Sequence, residues 1–357
     1  MPSILDDIQQ IKKLDSKNML GSIQLLGEQV KEVWGLGEKF KLPAGYKKIS
    51  NVVLLGMGGS TLGMLLVKSA FDRELPVPLE IVNNYHVGDL VTKNTLVIAS
   101  SYSGNTEEVL SAVEEAKKRQ AKIVTISSGG ALTDWALKNS FPAFIYTTNN
   151  NPCRSPRMGL GYSVFGSLIL LSKAGLIKIS EPELGRAVEV IKKFSFEFGT
   201  TVIGEANFAK KLANDLYDKT VWFVSSEHLL HSAHVAANQM NETAKRFAGY
   251  FAIPELNHHL LEGMMYPKSN KNDLAFVFLE SKLYDTRVQK RFVVTKEILK
   301  KNDIKFFSYQ CESQSKLSQV CELLTLSSYL SFYSAMLEGI DPTTIPYVDY
   351  FKEQLKG

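Results

Sequence analysis

Short apolar runs alternating with amphipathic stretches constrain this chain more than any other feature. "NVVLLG" (51–56), "LEIVNN" (79–84), "TLVIASS" (95–101), "AKIVTISS" (121–128) and "AFIYTT" (143–148) read as strands, and helical periodicity fills the gaps between them. Runs with no polar alternation belong to strands covered on both faces, the condition of a parallel sheet. Strand–helix alternation at this spacing predicts a doubly wound α/β fold. The pattern then restarts with "TVWFVSS" (220–226), "LAFVFLES" (274–281) and "IKFFSYQ" (304–310). Residues 94–128 and 272–310 share strand, turn, helix and strand in the same order.

The expectation is therefore two similar α/β domains, each a parallel sheet flanked by helices in an αβα sandwich. We place them at 46–195 and 196–340, after an N-terminal helical segment (1–45) and before a C-terminal segment (341–357). In the first segment Ile8, Ile11, Leu14, Met19, Ile23, Leu26, Val30 and Val33 recur at helical spacing, ended by Pro43 and Gly45. A helix is expected from about His228 to Arg246.

Composition narrows the function. A net charge of +4, with Lys and Arg interspersed among Asp and Glu, argues against nucleic acid as a partner. No uninterrupted apolar run approaches a membrane span and the first residues lack a signal-peptide core, so no membrane partner is expected. Cys153, Cys311 and Cys321 form no C-x-x-C pair, which fits free thiols in a reducing cytoplasm. His228, His231 and His234 recur every third residue, but on a helix the outer two point about 120° apart, and H-E-x-x-H is absent. No metal site is expected.

Two loops carry the chemistry. "LLGMGGSTLG" (54–63) follows the first strand; a dinucleotide fingerprint from Gly56 would need glycine at Thr61, and a P-loop from Gly58 would need lysine at Met64. What remains is a glycine-rich turn into a helix, with Gly59 letting backbone N–H groups approach a ligand and Ser60 at the helix start. "SYSGNT" (101–106) repeats the arrangement: Ser101, Ser103 and Thr106 supply hydroxyls, and Asn105 as N-cap would place Glu108 at the third helical position, a capping box. One such loop reads as an ordinary cap. Two at adjacent strand ends, where open α/β sheets bind ligands, point to a phosphomonoester held by hydroxyls and backbone N–H groups, a phosphosugar-type site.

Gly-Met-Gly-Gly-Ser (56–60) with Ser-Tyr-Ser-Gly-Asn-Thr (101–106) resembles the sugar isomerase (SIS) fold. More narrowly, with "SPRMGLGY" (155–162), "NQMNETAK" (238–245), "PELNHHLLEG" (254–263) and "DPTTIPYVDYFKEQL" (341–355), the chain resembles the bifunctional phosphoglucose/phosphomannose isomerases. That resemblance implies that Ser60, Ser101, Ser103 and Thr106, with the Gly59 backbone, hold the substrate phosphate. It implies Arg157 beside the reacting carbons, Glu242 as base, and His258 and Lys352 in ring opening, in a homodimer. The implied reaction interconverts glucose 6-phosphate, fructose 6-phosphate and mannose 6-phosphate through an enediolate, without metal or cofactor. Ile345 precedes Pro346 where some dual-specificity members carry a threonine. A sugar-phosphate-binding regulator of the same fold, or an isomerase of another phosphosugar, remains the alternative; a regulator would have no use for Glu242, His258 and Lys352 together.

Overall fold

The computed structural model describes residues 4–355. Five strands form the first sheet: β1 (Asn51–Leu55), β2 (Leu79–Val82), β3 (Thr95–Ser101), β4 (Lys122–Ser127) and β5 (Ala143–Ile145). All pair in parallel, in the order β2-β1-β3-β4-β5. The second sheet holds β6 (Thr220–Ser225), β7 (Ala248–Ala252), β8 (Leu274–Glu280) and β9 (Lys305–Gln310), parallel in the order β7-β6-β8-β9.

Burial explains the apolar strands. Val52, Leu54, Leu96 and Ile98 enter the large core that runs through both halves, while Val53, Leu55, Val97 and Ala99 enter a second cluster with Val109, Val113 and Leu132 on the opposite face. Every residue of β3 is buried. Successive side chains leave opposite faces of a strand, so a run covered on both sides has no place for an exposed polar residue.

One expectation is corrected, and two regions that the pattern left open are resolved. The N-terminal helix is broken into Ile8–Leu14, Met19–Gln24 and Leu26–Lys39. The break is chemical: Asp15 accepts from the Met19 and Leu20 N–H groups at 2.6 and 2.9 Å, and Asn18 sits at φ 57° as N-cap of the next helix. The helix expected over 228–246 is regular only from Leu230 to Gln239, then widens into a π turn at Met240–Ala244. Strand β7 has no clear sequence signature, because it is a partly buried edge strand interrupted by Gly249, where a Cβ would run into the Trp222 ring.

The helix Lys316–Leu337 has the length and hydropathy of a membrane span, yet its most apolar window is 94% buried within the fold. Every residue from Ser318 to Met336 is buried. A helix apolar all round is a core helix when protein surrounds it. Its Tyr329 and Tyr333 hydroxyls donate to the Ser195 and Phe198 carbonyls at 3.2 and 2.6 Å, tying the second half to the connecting helix Glu181–Glu197 and its C-cap.

Candidate active site

The site begins at the carboxyl end of β1. Gly58 turns the chain at φ 51°, and the helix Gly59–Phe71 starts at once. A Cβ on Gly59 would lie 2.8 Å from the Pro156 carbonyl carbon, so only glycine lets this turn touch the 156–157 backbone. Ser60 is 7% exposed, and its Oγ accepts from the Tyr102 N–H at 2.8 Å, which joins the first loop to the second.

In the second loop the Ser101 and Thr106 hydroxyls lie 2.8 Å apart, and Ser103 Oγ accepts from the Asn105 N–H at 3.2 Å. Gly104 adopts φ 72°, a left-handed conformation open to glycine, and a Cβ there would collide with the Gly129 carbonyl oxygen. The expected capping box is absent. Thr106, not Asn105, is the N-cap of the helix Glu107–Lys118, and it makes no side-chain cap bond. Asn105 Oδ1 instead accepts from the Ala131 N–H at 3.0 Å, bracing the next helix, Gly130–Lys138. The start of the helix Glu107–Lys118 therefore lacks the side-chain cap that would compete with an anion.

Arg157 lies in the turn Pro156–Met158, directly against Gly59, and is 2% exposed. Its guanidinium is engaged by four acceptors: Nε donates to Thr243 Oγ1 at 3.0 Å, Nη1 to Glu242 Oε2 at 3.4 Å, and Nη2 to the Pro342 and Thr343 carbonyls at 2.9 and 3.0 Å. Burial pulls its pKa down, and the Glu242 charge opposes that shift. The Glu242 side chain is 35% exposed, with one carboxylate oxygen engaged by Arg157 and the other without a partner among the described residues. Glu242 and Thr243 both sit in the π turn, a local widening that often marks a functional position in a helix.

Glu242 and Lys245 do not form the surface ion pair that their spacing allows. Lys245 stands at φ 55° just past the π turn, and its Nζ donates to the Thr243 and Asp341 carbonyls at 3.0 and 2.8 Å. Burial, reinforced by the Arg157 charge, lowers its pKa to about 8. Arg157 and Lys245 thus clamp the strap 341–343 from two sides. Spacing offers no signal for either contact, since the acceptors are backbone carbonyls about a hundred residues away or more.

The other two expected residues stand apart. His258 is exposed in the short helix Leu256–His259, and Lys352 is exposed in the helix Pro346–Gln354. Among the described residues neither side chain has a hydrogen-bond or ion-pair partner. The neighbouring His259 is occupied, 2.6 Å from Glu255 Oε2. The three spaced histidines do not converge: His228 bonds Gln319 at 2.7 Å, and His234 stacks on Tyr250 with ring centroids 4.5 Å apart. Among the described residues no group of three or more His, Cys, Asp or Glu side chains is gathered as a metal site would require.

Comparisons with known proteins bear on this geometry. Residues 46–132 match the SIS domain family, and residues 205–355 match the family of the bacterial phospho-glucose isomerase C-terminal SIS domain. A bifunctional phosphoglucose/phosphomannose isomerase of Caldicellulosiruptor bescii is 31% identical over 344 residues, which covers 94% of this chain and 98% of the relative. One from Thermoplasma volcanium is 28% identical over 328 residues, 91% of this chain and 98% of the relative. Among solved structures, a hypothetical protein of Thermus thermophilus superposes with a TM-score of 0.75 at 17% identity, covering 98% of this chain and 93% of the other, a likeness of fold alone. The two sheets are the centres of two SIS domains.

Proposed function

The chain belongs to the bifunctional phosphoglucose/phosphomannose isomerase family, and we propose that the cluster built on Arg157 and Glu242 performs its aldose–ketose isomerisation. The reaction interconverts glucose 6-phosphate with fructose 6-phosphate, and mannose 6-phosphate with fructose 6-phosphate. The single observation that carries the assignment is the Arg157 bridge. Its backbone abuts Gly59 of the first loop while its buried guanidinium lies 3.4 Å from Glu242, so the phosphate end and the carboxylate are held at one fixed separation.

In this mechanism Ser60, Ser101, Ser103, Thr106 and the Gly59 N–H receive the phosphate, with the two helix starts adding their positive ends. Phosphate binding displaces the mutual hydroxyl bond of Ser101 and Thr106, whose donors then turn to the ligand. The free oxygen of Glu242 takes the proton from C2 and returns it to C1, while the hydroxyl proton of O2 passes to O1, or both run in reverse. Negative charge gathers on the O1–O2 side of the enediolate as the proton leaves. Arg157, locked by four acceptors before substrate arrives, stabilises that charge without reorganising. Both epimers pass through the same enediolate, so one base suffices for glucose and mannose 6-phosphates. His258 and Lys352 move the ring-opening proton between the ring oxygen and the anomeric hydroxyl.

That last role needs a second copy of the chain. Tyr347, Tyr350, Phe351 and Leu355 of the C-terminal segment are 89, 63, 60 and 56% exposed, an apolar face beside Lys352. We infer a homodimer that covers this face and completes the site with His258. The chain divides at 46–195 and 196–340, with the segment 341–357 joining the site through the strap. Cys153, Cys311 and Cys321, all free and buried, suit a cytoplasmic enzyme.

The test is conversion of fructose 6-phosphate by the purified, EDTA-treated protein. Formation of both glucose 6-phosphate and mannose 6-phosphate is expected. Tight binding of fructose 6-phosphate without turnover would remove the assignment and leave a sugar-phosphate sensor.

A further inference from the structure

The two sheets are related strand for strand: β1, flanked by β2 and β3, corresponds to β6, flanked by β7 and β8. The carboxyl ends of β6 and β8 are therefore the counterpart of the phosphate loops. A residue with positive φ stands just past each of the two strands. Gly58 turns at φ 51° after β1, and Glu227 turns at φ 44° after β6, a costly conformation for a residue with a side chain. Glu227 is held there by its own carboxylate, whose Oε1 accepts from the Asp285 N–H at 2.9 Å.

At this second corner lies a cleft of about 370 Å³, within the range of small-molecule sites. Its far wall is the C-terminal end of the helix Gly59–Phe71, contributing Lys68 and, just beyond, Arg73; its near wall includes His228, His231 and Lys316. The hydroxyls of the first site are replaced by three cations. Lys68, Arg73 and Lys316 make no ion pair or side-chain hydrogen bond among the described residues. Two acids, Asp72 and Glu227, also line the cleft and leave one net positive charge, with Glu227 already engaged by Asp285. His231 lies in the first turn of Leu230–Gln239, whose start has no side-chain cap, while the start of Lys316–Leu337 is capped by Ser315, so one uncapped helix start borders the cleft.

His228 lines the cleft from the protein interior. It is 3% exposed, and its Nε2 lies 2.7 Å from Gln319 Oε1. Gln319 Nε2 donates to the Ser313 carbonyl, which fixes Oε1 as the acceptor and puts the histidine proton on Nε2. His228 Nδ1 is then a bare acceptor, and it is buried without a partner, as is His231 Nδ1. Three unpaired cations in one cleft call for an anion, and the dianion of a phosphomonoester matches them in charge and hydrogen-bonding capacity.

We propose that this cleft is a second ligand site, which takes a small phosphomonoester with its phosphate on Lys68, Arg73 and Lys316. Its position gives occupancy a consequence. One wall helix begins at Gly59 and Ser60, and the other runs into the π turn carrying Glu242. A ligand bridging their distal ends couples to the spacing between phosphate loop and base, and so to KM for fructose 6-phosphate.

Calorimetric titration of the intact enzyme with glycerol phosphate, which has no carbonyl to isomerise, tests the proposal at low ionic strength. Two equivalents per chain are expected for the native protein. The Lys68→Gln/Lys316→Gln variant should keep one equivalent and its basal isomerase activity, while Ser101→Ala/Ser103→Ala should lose the other equivalent. One equivalent in the native protein, or two in the lysine variant, overturns the proposal. If the double variant fails to fold, Lys316→Gln alone serves, and at least a tenfold weakening of the second equivalent is expected. Unchanged affinity there would overturn it equally.

Discussion

Arg157 Nη1 lies 3.4 Å from Glu242 Oε2, although Arg157 is 2% exposed and the Glu242 side chain 35%. A buried cation facing a half-open carboxylate is an asymmetric pair. The arginine is a fixed part of the scaffold, while the carboxylate keeps one oxygen without a partner among the described residues. Arg157→Met should therefore cost about 3–5 kcal/mol, because the Glu242 charge and the Pro342 and Thr343 carbonyls lose their donor together. Arg157→Lys should lose less stability but still release the strap, since an ammonium cannot reproduce the planar fork. Urea denaturation of both variants checks the order.

Glu242→Gln removes the carboxylate proposed as base and preserves the shape. A fall in kcat of about 10²–10⁴ is expected, the usual worth of a positioned general base. Affinity for glycerol phosphate at the catalytic site should hardly change, since the phosphate contacts lie on the other two loops. Comparable loss of affinity and of turnover would mean that Glu242 acts on binding instead.

The two positive-φ glycines of the loops proposed to hold phosphate separate two kinds of cost. Gly58→Ala meets open space, so only the backbone penalty of a φ 51°, ψ −130° conformation nearly confined to glycine is expected, about 1–3 kcal/mol. Gly104→Ala adds a clash between the new Cβ and the Gly129 carbonyl oxygen, and should cost more than about 2 kcal/mol. Because Gly104 stands between Ser103 and Thr106, KM for fructose 6-phosphate should rise in that variant. Thermal unfolding with steady-state kinetics distinguishes the two.

Stability should fall on acidification through the histidines. Burial holds His231 down at about 4, with the His234 and Lys68 charges acting the same way, and burial lowers His228 and His234 as well. The unfolded chain, with an ordinary value of about 6.5, binds these protons first. Stability is thus complete above that ordinary value and is lost as pH falls toward 4, on the order of 2–3 kcal/mol for His231 alone. His231→Gln should flatten that part of the stability curve; an unchanged slope in guanidinium titrations would show that other groups govern it.

Much of the fold was legible because local chemistry and tertiary role agree. The unbroken apolar runs at 52–55 and 95–101 admit little but strands covered on both faces, and that is where β1 and β3 lie. Strand β7 escaped notice because an edge strand with a glycine is made by its neighbour Trp222, not by its own pattern. Asn105 was misplaced for a related reason. Its side chain reaches across to Ala131 instead of back along its own helix, and no local rule distinguishes the two partners.

The sequence by itself determined the two α/β units, the hydroxyl-rich corners at 56–60 and 101–106, and the types of residue available to an isomerase. Only tertiary structure decided that Arg157 would be buried and bound to carbonyls at 342–343, that Lys245 would hold the Asp341 carbonyl instead of Glu242, and that His258 and Lys352 would face outward from a single chain. The reason is physical. Periodicity and turn chemistry are written in side chains close in sequence, whereas the acceptors that fix Arg157 and Lys245 are backbone carbonyls, chemically identical at every position and distinguished only by where the fold brings them.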